Sequence, residues 1–520
     1  MTMLRLYLRA VRALWRVGLL RIGPWLALRV WLAWRRCRGS LAFLAEVAAL
    51  RAGARVALVD DDGPLTFAEL RDRYRALAAE LSTRHAAGAG RAIALIGRNH
   101  RSLVVGLLAA ARTGADVLLL NPDSPAQVQA KLLGAYAGGD AAPPLIVLHG
   151  TEIELAELPA GARRVSLDGD APPASRRLPR LARPGQLCVL TAGSTGTPKR
   201  IGRQPTIASL LPVMLGLLDG LPIAMHRPTV LAVPCFHGHG LATLAAALAF
   251  AAPVHLGRRY EIAPLLARAA LASPAVVVTV PTLLARWLAA GATNSKVAAV
   301  LTGSAPLAPA LCRALSETLG PCVFNLYGSS EAGLVSLATP AMLMASPGTV
   351  GQPLPGTEVR IVDAGGRDVA TGQLGRIFAR GPLVLRAGAD GWLDTGDVGR
   401  FDDAGRLYVC GRSDGMFVSG GENVYPQEVE ACLLEHPVVA EAAIAVVADA
   451  EFGARMRAFV VARSGAALDA EEVRAWLRQR LDRHKQPKSV ELLPAMPRNL
   501  LGKLDRRAVD ELARRAGPEG

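Results

Sequence analysis

Leu190-Thr191-Ala192-Gly193-Ser194-Thr195-Gly196-Thr197-Pro198-Lys199 holds the residue types and spacing that phosphate chemistry requires. Glycines let the backbone approach an anion closely, and successive N–H groups with Ser and Thr hydroxyls can cradle phosphate oxygens. Lys199 adds a mobile positive charge. The stretch is not the P-loop of kinases and GTPases, which needs Gly-Lys-Ser/Thr opening a helix. Here Pro198 precedes the lysine and Arg200 follows it.

Other chemistry-bearing stretches follow in order. Asn325-Leu326-Tyr327-Gly328-Ser329-Ser330-Glu331 offers an aromatic to stack on a purine, hydroxyls to meet a phosphate, and a carboxylate able to hold Mg²⁺. Asp397, in Gly391-Trp392-Leu393-Asp394-Thr395-Gly396-Asp397, can accept two hydrogen bonds from a ribose. Lysine is rare: only six of the 59 basic residues are lysines, yet one stands at Lys199 and another at Lys503, in Pro497-Arg498-Asn499-Leu500-Leu501-Gly502-Lys503. A compact ammonium on a flexible stem differs in function from a guanidinium fork.

These motifs, in this order between residues 50 and 510, resemble the adenylate-forming (AMP-binding) superfamily and, within it, the fatty-acyl-CoA synthetases. The resemblance implies an α/β fold: a large N-terminal domain of mixed sheets and helices and a small, mobile α+β C-terminal domain. It implies activation of a carboxylic acid by ATP to an acyl-adenylate, then transfer to coenzyme A. Thr191 to Thr197 with Lys199, Gly303-Ser304-Ala305, Asn325, Tyr327 to Ser330, Asp397, Arg412 and Lys503 would bind ATP. Thr191 and Glu331 would hold Mg²⁺. Lys503, Lys199 and Glu331 would be catalytic. Phe236, His237, Gly240 and Gly303 would line the acyl pocket, with His239 undecided. Asp414 would be the hinge about which the C-terminal domain turns, bringing Gly420 and Gly421 to a thiol tunnel. Arg200 departs from the family, where glycine usually follows the lysine.

Elements must position these groups. Gln186 to Leu190 is an apolar run that reads as a buried strand feeding the phosphate loop. Leu231 to Val233 delivers Phe236 and His237 onto a Gly-containing turn before an apolar helix. Ala92–Ile96, Val117–Leu120, Val276–Val280 and Val300–Leu301 read as further strands, and Thr66 as the cap of a helix with Glu69 in its first turn. Residues 137 to 185, with much Gly, Pro and Ala, read as loop-rich and variable. The domain expectation is 1–40, 41–412 and 413–520.

At 520 residues, with 51% hydrophobic and 20% charged residues, the chain is globular and long enough for several domains. The net charge of +15 comes from arginine spread along the whole sequence, without aromatic interleaving or a nucleic-acid motif, so nucleic-acid binding is not expected. Seven cysteines without a CxxC pair favour a reducing compartment over a disulfide or metal framework.

The first forty residues stand apart. Arg5, Arg9, Arg12 and Arg16 share one helical face, and a second apolar segment, Ile22 to Trp34, is interrupted by Pro24 and Arg29. Nine arginines and no acid precede Glu46. A basic amphipathic segment at an anionic membrane surface is the expectation, with the enzyme peripheral on the cytoplasmic side. No acid stands near Phe236 to pair an amino acid's ammonium group, so an apolar acid is expected: a fatty acid first, an aryl acid as the alternative. A carrier protein is the alternative acceptor to coenzyme A, and a non-catalytic membrane scaffold the remote alternative.

Overall fold

The computed structural model describes the chain apart from residues 1–11, 16–17, 19–22, 125, 138–144, 154, 156–157, 169–177, 192–198, 204–206, 223, 269–273, 293–296, 330, 364, 385–387, 389, 414–416, 420–421, 425, 450–452, 464, 482–484, 499–503 and 516–520. The fold is a large mixed α/β N-terminal body followed by a smaller C-terminal α+β unit.

Two sheets build most of the large body. One has nine strands in the order Gln352–Pro353, Gly333–Ala338, Val323–Ser329, Val297–Gly303, Ala275–Thr279, Thr229–Leu231, Val254–His255, Val56–Asp60, Gly63–Thr66. The other has six, in the order Arg163–Ser166, Ile146–His149, Ala92–Ile96, Asp116–Leu120, Leu187–Thr191, Lys199–Arg203. Their central strands are parallel and apolar on both faces, as burial on both sides demands. The helix Arg101–Thr113 is buried along its whole length. Leu103, Val104, Leu107 and Leu108 share one core with Ile93 and Val117 of the smaller sheet and Leu58 and Val254 of the larger. Asp60 receives the buried Arg101: the guanidinium Nε donates at 2.9 Å and the backbone N–H at 2.8 Å.

A four-stranded antiparallel sheet, Glu358–Val362, Gly375–Arg380, Leu393–Phe401 and Leu407–Arg412, follows. The C-terminal unit pairs Val439–Asp449, Gly453–Ala462 and Ser489–Leu492, with helices Pro426–Leu434, Ala470–Arg478 and Arg506–Arg515.

The expected strands at 92, 117, 187, 276 and 300 all form, and Thr66 caps Phe67–Arg84 through a reciprocal pair with Glu69. Two readings are refined. Residues 137–185 contain two strands, Ile146–His149 and Arg163–Ser166, that extend the six-stranded sheet. The first lies under a core cluster with Leu133 and Leu145, while the second is an edge strand of polar residues whose composition resembles a loop. Lys199–Arg203, on the far side of the phosphate-type loop, is the other edge strand of this sheet. Pro24 does not interrupt the N-terminal segment. It opens the continuous helix Pro24–Cys37, in the first turn, where proline's missing N–H costs nothing. Among the described residues no helix is long and apolar enough to cross a membrane.

Candidate active site

The phosphate-type loop joins two paired strands. Leu187–Thr191 and Lys199–Arg203 are antiparallel, with Thr191 opposite Lys199 in the register. Both ends of the loop are thereby fixed to the sheet. Ala192, Gly193, Ser194, Thr195, Gly196 and Thr197 lie outside the described residues, and Thr191 and Lys199 are described by their backbone alone.

The most complete cluster lies around Asp397. Leu393–Phe401 and Leu407–Arg412 pair so that Asp397 faces Arg412 across the ladder. The Tyr327 hydroxyl, from the end of Val323–Ser329, donates to Asp397 Oδ2 at 2.7 Å. Arg412 Nη1 lies 3.4 Å from the other oxygen, Oδ1, and 3.1 Å from the Thr395 carbonyl. Burial, then the Asp397 charge, pushes the Tyr327 phenol well above its ordinary pKa, so it stays a donor. The result is a carboxylate oriented by two donors from different strands, a construction suited to hydroxyl recognition.

Strand pairing carries this cluster toward a second one. Gly303 stands opposite Leu326, one residue before Tyr327. A Cβ at Gly303 would lie 2.7 Å from the Leu326 carbonyl oxygen, so the strands meet this closely only with glycine. Ser304 follows in the left-handed region at φ 64. Ala305 is exposed, Asn325 is buried with its amide donating to Thr349 O, and Gly328 and Ser329 close the strand. Ser329 Oγ caps the turn by accepting from Ala332 N at 2.9 Å, which fixes the backbone around Glu331. Ser330 lies outside the described residues.

The second cluster gathers at the start of the helix Gly238–Ala249. Phe236 is buried and tilts against the exposed His237 ring, centroids 4.7 Å apart. A Cβ at Gly240 would stand 2.2 Å from the Pro234 carbonyl oxygen, so the tight turn into this helix requires glycine. His239 Nδ1 lies 3.4 Å from Ser304 Oγ. Its Nε2 is buried without a hydrogen-bond partner among the described residues. Burial holds the imidazole down at about 4, so it is neutral at ordinary pH.

One positioning residue gives no signal in the sequence. Asn99 is fully buried; its side chain donates to Val233 O at 2.7 Å and accepts from Cys235 N at 2.8 Å. This two-point clamp fixes the segment that presents Phe236 and His237. Its partners lie 134 and 136 residues away, beyond any local pattern.

Two remaining sites are described at their edges. Phe417–Ser419 and Glu422–Val424 pair as a hairpin with Ser419 opposite Glu422, and the connecting Gly420 and Gly421 lie outside the described residues, as does Asp414. Lys503 does too, but both flanks of its segment are anchored. Arg498 bridges to Leu504, and Arg506 Nη2 donates to the buried Glu430 at 2.9 Å.

Comparison with known proteins agrees with this architecture. A profile described as "AMP-binding enzyme" matches residues 45–387, and one described as "AMP-binding enzyme C-terminal domain" matches 428–503. A 2-succinylbenzoate–CoA ligase of Bacillus velezensis is 30% identical over 483 residues, covering 88% of this chain and 95% of its own. An indoleacetate–CoA ligase of Aromatoleum aromaticum is 33% identical over 348 residues, covering 63% of this chain and 67% of its own. Among solved structures, the o-succinylbenzoate CoA synthetase of Bacillus subtilis with its acyl-adenylate intermediate superposes with TM-score 0.77 at 27% identity, covering 90% of this chain and 97% of that one.

Proposed function

The chain belongs to the AMP-binding enzyme family, and from that premise we propose that it is an AMP-forming acid–thiol ligase whose acid carries an aromatic ring and a hydrogen-bonding group. In this reading a carboxylate oxygen attacks the α-phosphorus of ATP, the bond to the β-phosphate oxygen breaks, and pyrophosphate leaves. The thiol sulfur of coenzyme A then attacks the acyl carbon, gives up its proton, and AMP departs. Activation replaces the oxide of a carboxylate, which cannot leave, by a phosphate ester that can.

Each described residue has a part. Asp397, held by Tyr327 and flanked by Arg412, accepts from the ribose hydroxyls. Tyr327 and the Gly303–Ala305 segment border the adenine. The loop from Thr191 to Lys199 and the lysine at 503 neutralise charge that develops during adenylation, where positioning and electrostatics supply most of the rate. The glutamate at 331 and the hydroxyl of Thr191 are hard oxygen donors, the chemistry Mg²⁺ prefers, and would hold that ion against the phosphates. Mg²⁺ supplies charge neutralisation there.

Sequence alone favoured a fatty acid. The aryl alternative has better support, because the acids named for the relatives above carry aromatic rings. The observation that carries the choice is His239. A purely alkyl chain packed on its buried Nε2 leaves that nitrogen without a partner, at a cost of about 1–3 kcal/mol. An acid with a keto, hydroxyl or amine group satisfies it, while the Phe236 and His237 rings flank its aromatic part.

Pyrophosphate release with ATP and Mg²⁺ tests the reading across 2-succinylbenzoate, indoleacetate, ferulate, decanoate and palmitate. The expected result is a kcat/KM at least about tenfold higher for one of the ring-bearing acids. A preference for palmitate would return the assignment to a fatty acid. Formation of the thioester with coenzyme A, against transfer to a carrier protein, decides the acceptor.

A further inference from the structure

The helix Pro24–Cys37 carries large apolar side chains on more than the face it buries. Ala33 and Cys37 are buried, and with Leu26 and Val30 they form the face toward the next helix, Leu41–Ala52. The opposite face is not polar. It presents Leu28 and Trp31, 44% and 48% exposed, with Trp25, 71% exposed, on one side and Trp34 on the other. These four are half of the eight large hydrophobic side chains exposed among the described residues, and Trp15, in a helical turn at residues 12–15, is a fifth. Isolated exposed hydrophobics are ordinary; five crowded into one short segment mark an interaction surface.

Charge identifies the partner. Arg29, Arg35, Arg36 and Arg38 are all exposed on or beside this helix, and no acid occurs before Glu46. The Arg35 guanidinium lies 4.8 Å from the Trp31 ring centre, and that of Arg38 lies 5.8 Å from the Trp34 ring. Indoles prefer the boundary between hydrocarbon and water, and guanidinium groups beside them meet anionic headgroups. A protein partner of ordinary composition offers no such even field of negative charge over an apolar layer.

We propose that the outward face of Pro24–Cys37 docks on an anionic lipid bilayer, with the helix in the membrane plane. The helix is too short and too charged to cross. The segment is tied to the rest of the fold: Leu181 N donates to Arg36 O at 3.0 Å, and ahead of the helix Arg51 Nη2 donates to Gly18 O at 2.7 Å. The lipid-facing side chains thus project from a rigid base rather than from a tether. The helix Leu41–Ala52 beneath shares a core with Leu244, Ala247 and Leu248 of the helix that begins just after His237. Docking therefore brings the acid-binding end of the enzyme near the lipid surface, whichever acid it activates.

The test uses the full chain and vesicles of phosphatidylcholine alone or mixed with phosphatidylglycerol. Co-sedimentation with the mixed vesicles at low salt, weakened at high salt, is expected. So is quenching of wild-type tryptophan fluorescence by brominated lipid. L28S/W31S and R35E/R36E should each lower the partition coefficient on the order of tenfold. All four side chains are exposed, so the fold and turnover of a water-soluble acid should persist. No binding by the wild type, binding indifferent to phosphatidylglycerol, or binding that survives both variants overturns the proposal. So does a dimer in solution that the same variants dissociate, since the face would then belong to a second copy.

Discussion

The Tyr327 hydroxyl and Asp397 Oδ2 stand 2.7 Å apart, though 70 residues separate them in the chain. One comes from Val323–Ser329, an interior strand of the nine-stranded sheet, and the other from the four-stranded sheet, so the contact links the two sheets at the proposed ribose site. An ionised carboxylate left to itself would sample several rotamers. The phenol and Arg412 restrict it before any nucleotide arrives, so less ordering remains to be done on binding.

Tyr327→Phe should therefore weaken ATP binding with little effect on the acid. A hydrogen bond to a charged group is worth about 1.5–3 kcal/mol. The partial compensation from Arg412 puts the expected rise in KM for ATP nearer tenfold than a hundredfold. Asp397→Asn should cost more, because an amide offers only one acceptor oxygen. Steady-state kinetics with each substrate varied in turn measures both. An unchanged KM for ATP in both variants would remove Asp397 from the ribose site.

The clamp of Asn99 leads to a second expectation. Asn99→Ala removes the partners of a buried carbonyl at Val233 and a buried N–H at Cys235. Two unsatisfied groups at about 1–3 kcal/mol each should destabilise the protein by about 2–6 kcal/mol. The effect on catalysis should fall on KM for the acid rather than for ATP, because the clamp fixes the segment that bears Phe236 and His237. Thermal unfolding together with the two KM values separates this from a general loss of packing. An equal rise in both KM values would mean that Asn99 only supports the fold.

The two segments that meet at Tyr327 and Asp397 were legible in the sequence as bearers of chemistry, since Asn325 to Glu331 and Gly391 to Asp397 each concentrate it within seven residues. Gly303 and Gly240, named as pocket residues from the resemblance alone, stand where a Cβ would collide with backbone. What sequence could not give was anything set by distant pairing. Asn99 carries no local sign of its partners at Val233 and Cys235, and nothing in the composition of Arg163–Ser166 or Lys199–Arg203 marks a strand. Edge position makes their composition irrelevant, because only one side of such a strand needs a partner. The choice between His237 and His239 was hidden for the same reason. Two residues apart in sequence, they differ in burial because the helix beginning at Gly238 carries His239 back toward Ser304, 65 residues on.

His239 should also leave a mark on stability. Its ordinary pKa of 6.5 falls to about 4 through burial, so between these values the unfolded chain takes up a proton that the folded chain refuses. Unfolding free energy therefore falls as pH drops from about 6.5 toward 4 and is flat above that window. Because the residue as a whole is only half-buried, the loss should be about 2 kcal/mol, less than the full shift implies. His239→Phe should flatten that part of the pH profile and favour alkyl over ring-bearing polar acids. If the profile of chemical unfolding between pH 4 and 6.5 is identical in both proteins, the imidazole is not held neutral by burial.

The last expectation concerns Lys503 and Asp414. On either side of residues 499–503, Arg498 bridges to Leu504 and Arg506 donates to Glu430, contacts that lie within the C-terminal unit. If that unit presents Lys503 only during adenylation, its removal should divide the two half-reactions. Lys503→Ala should slow acid-dependent pyrophosphate release by about 10²–10³, the scale for losing one group that stabilises developing charge. Chemically prepared acyl-adenylate should still pass to coenzyme A near the wild-type rate. Asp414→Pro gives an independent view, because proline fixes φ near −65° and removes a rotation that the hinge would need. One half-reaction should survive in that variant and the other should not. Rapid-quench measurement of adenylate formation and of thioester formation, each run alone, follows the two separately. Equal slowing of both steps by Lys503→Ala, or none, would detach the lysine from adenylation, and equal survival of both in Asp414→Pro would remove the hinge.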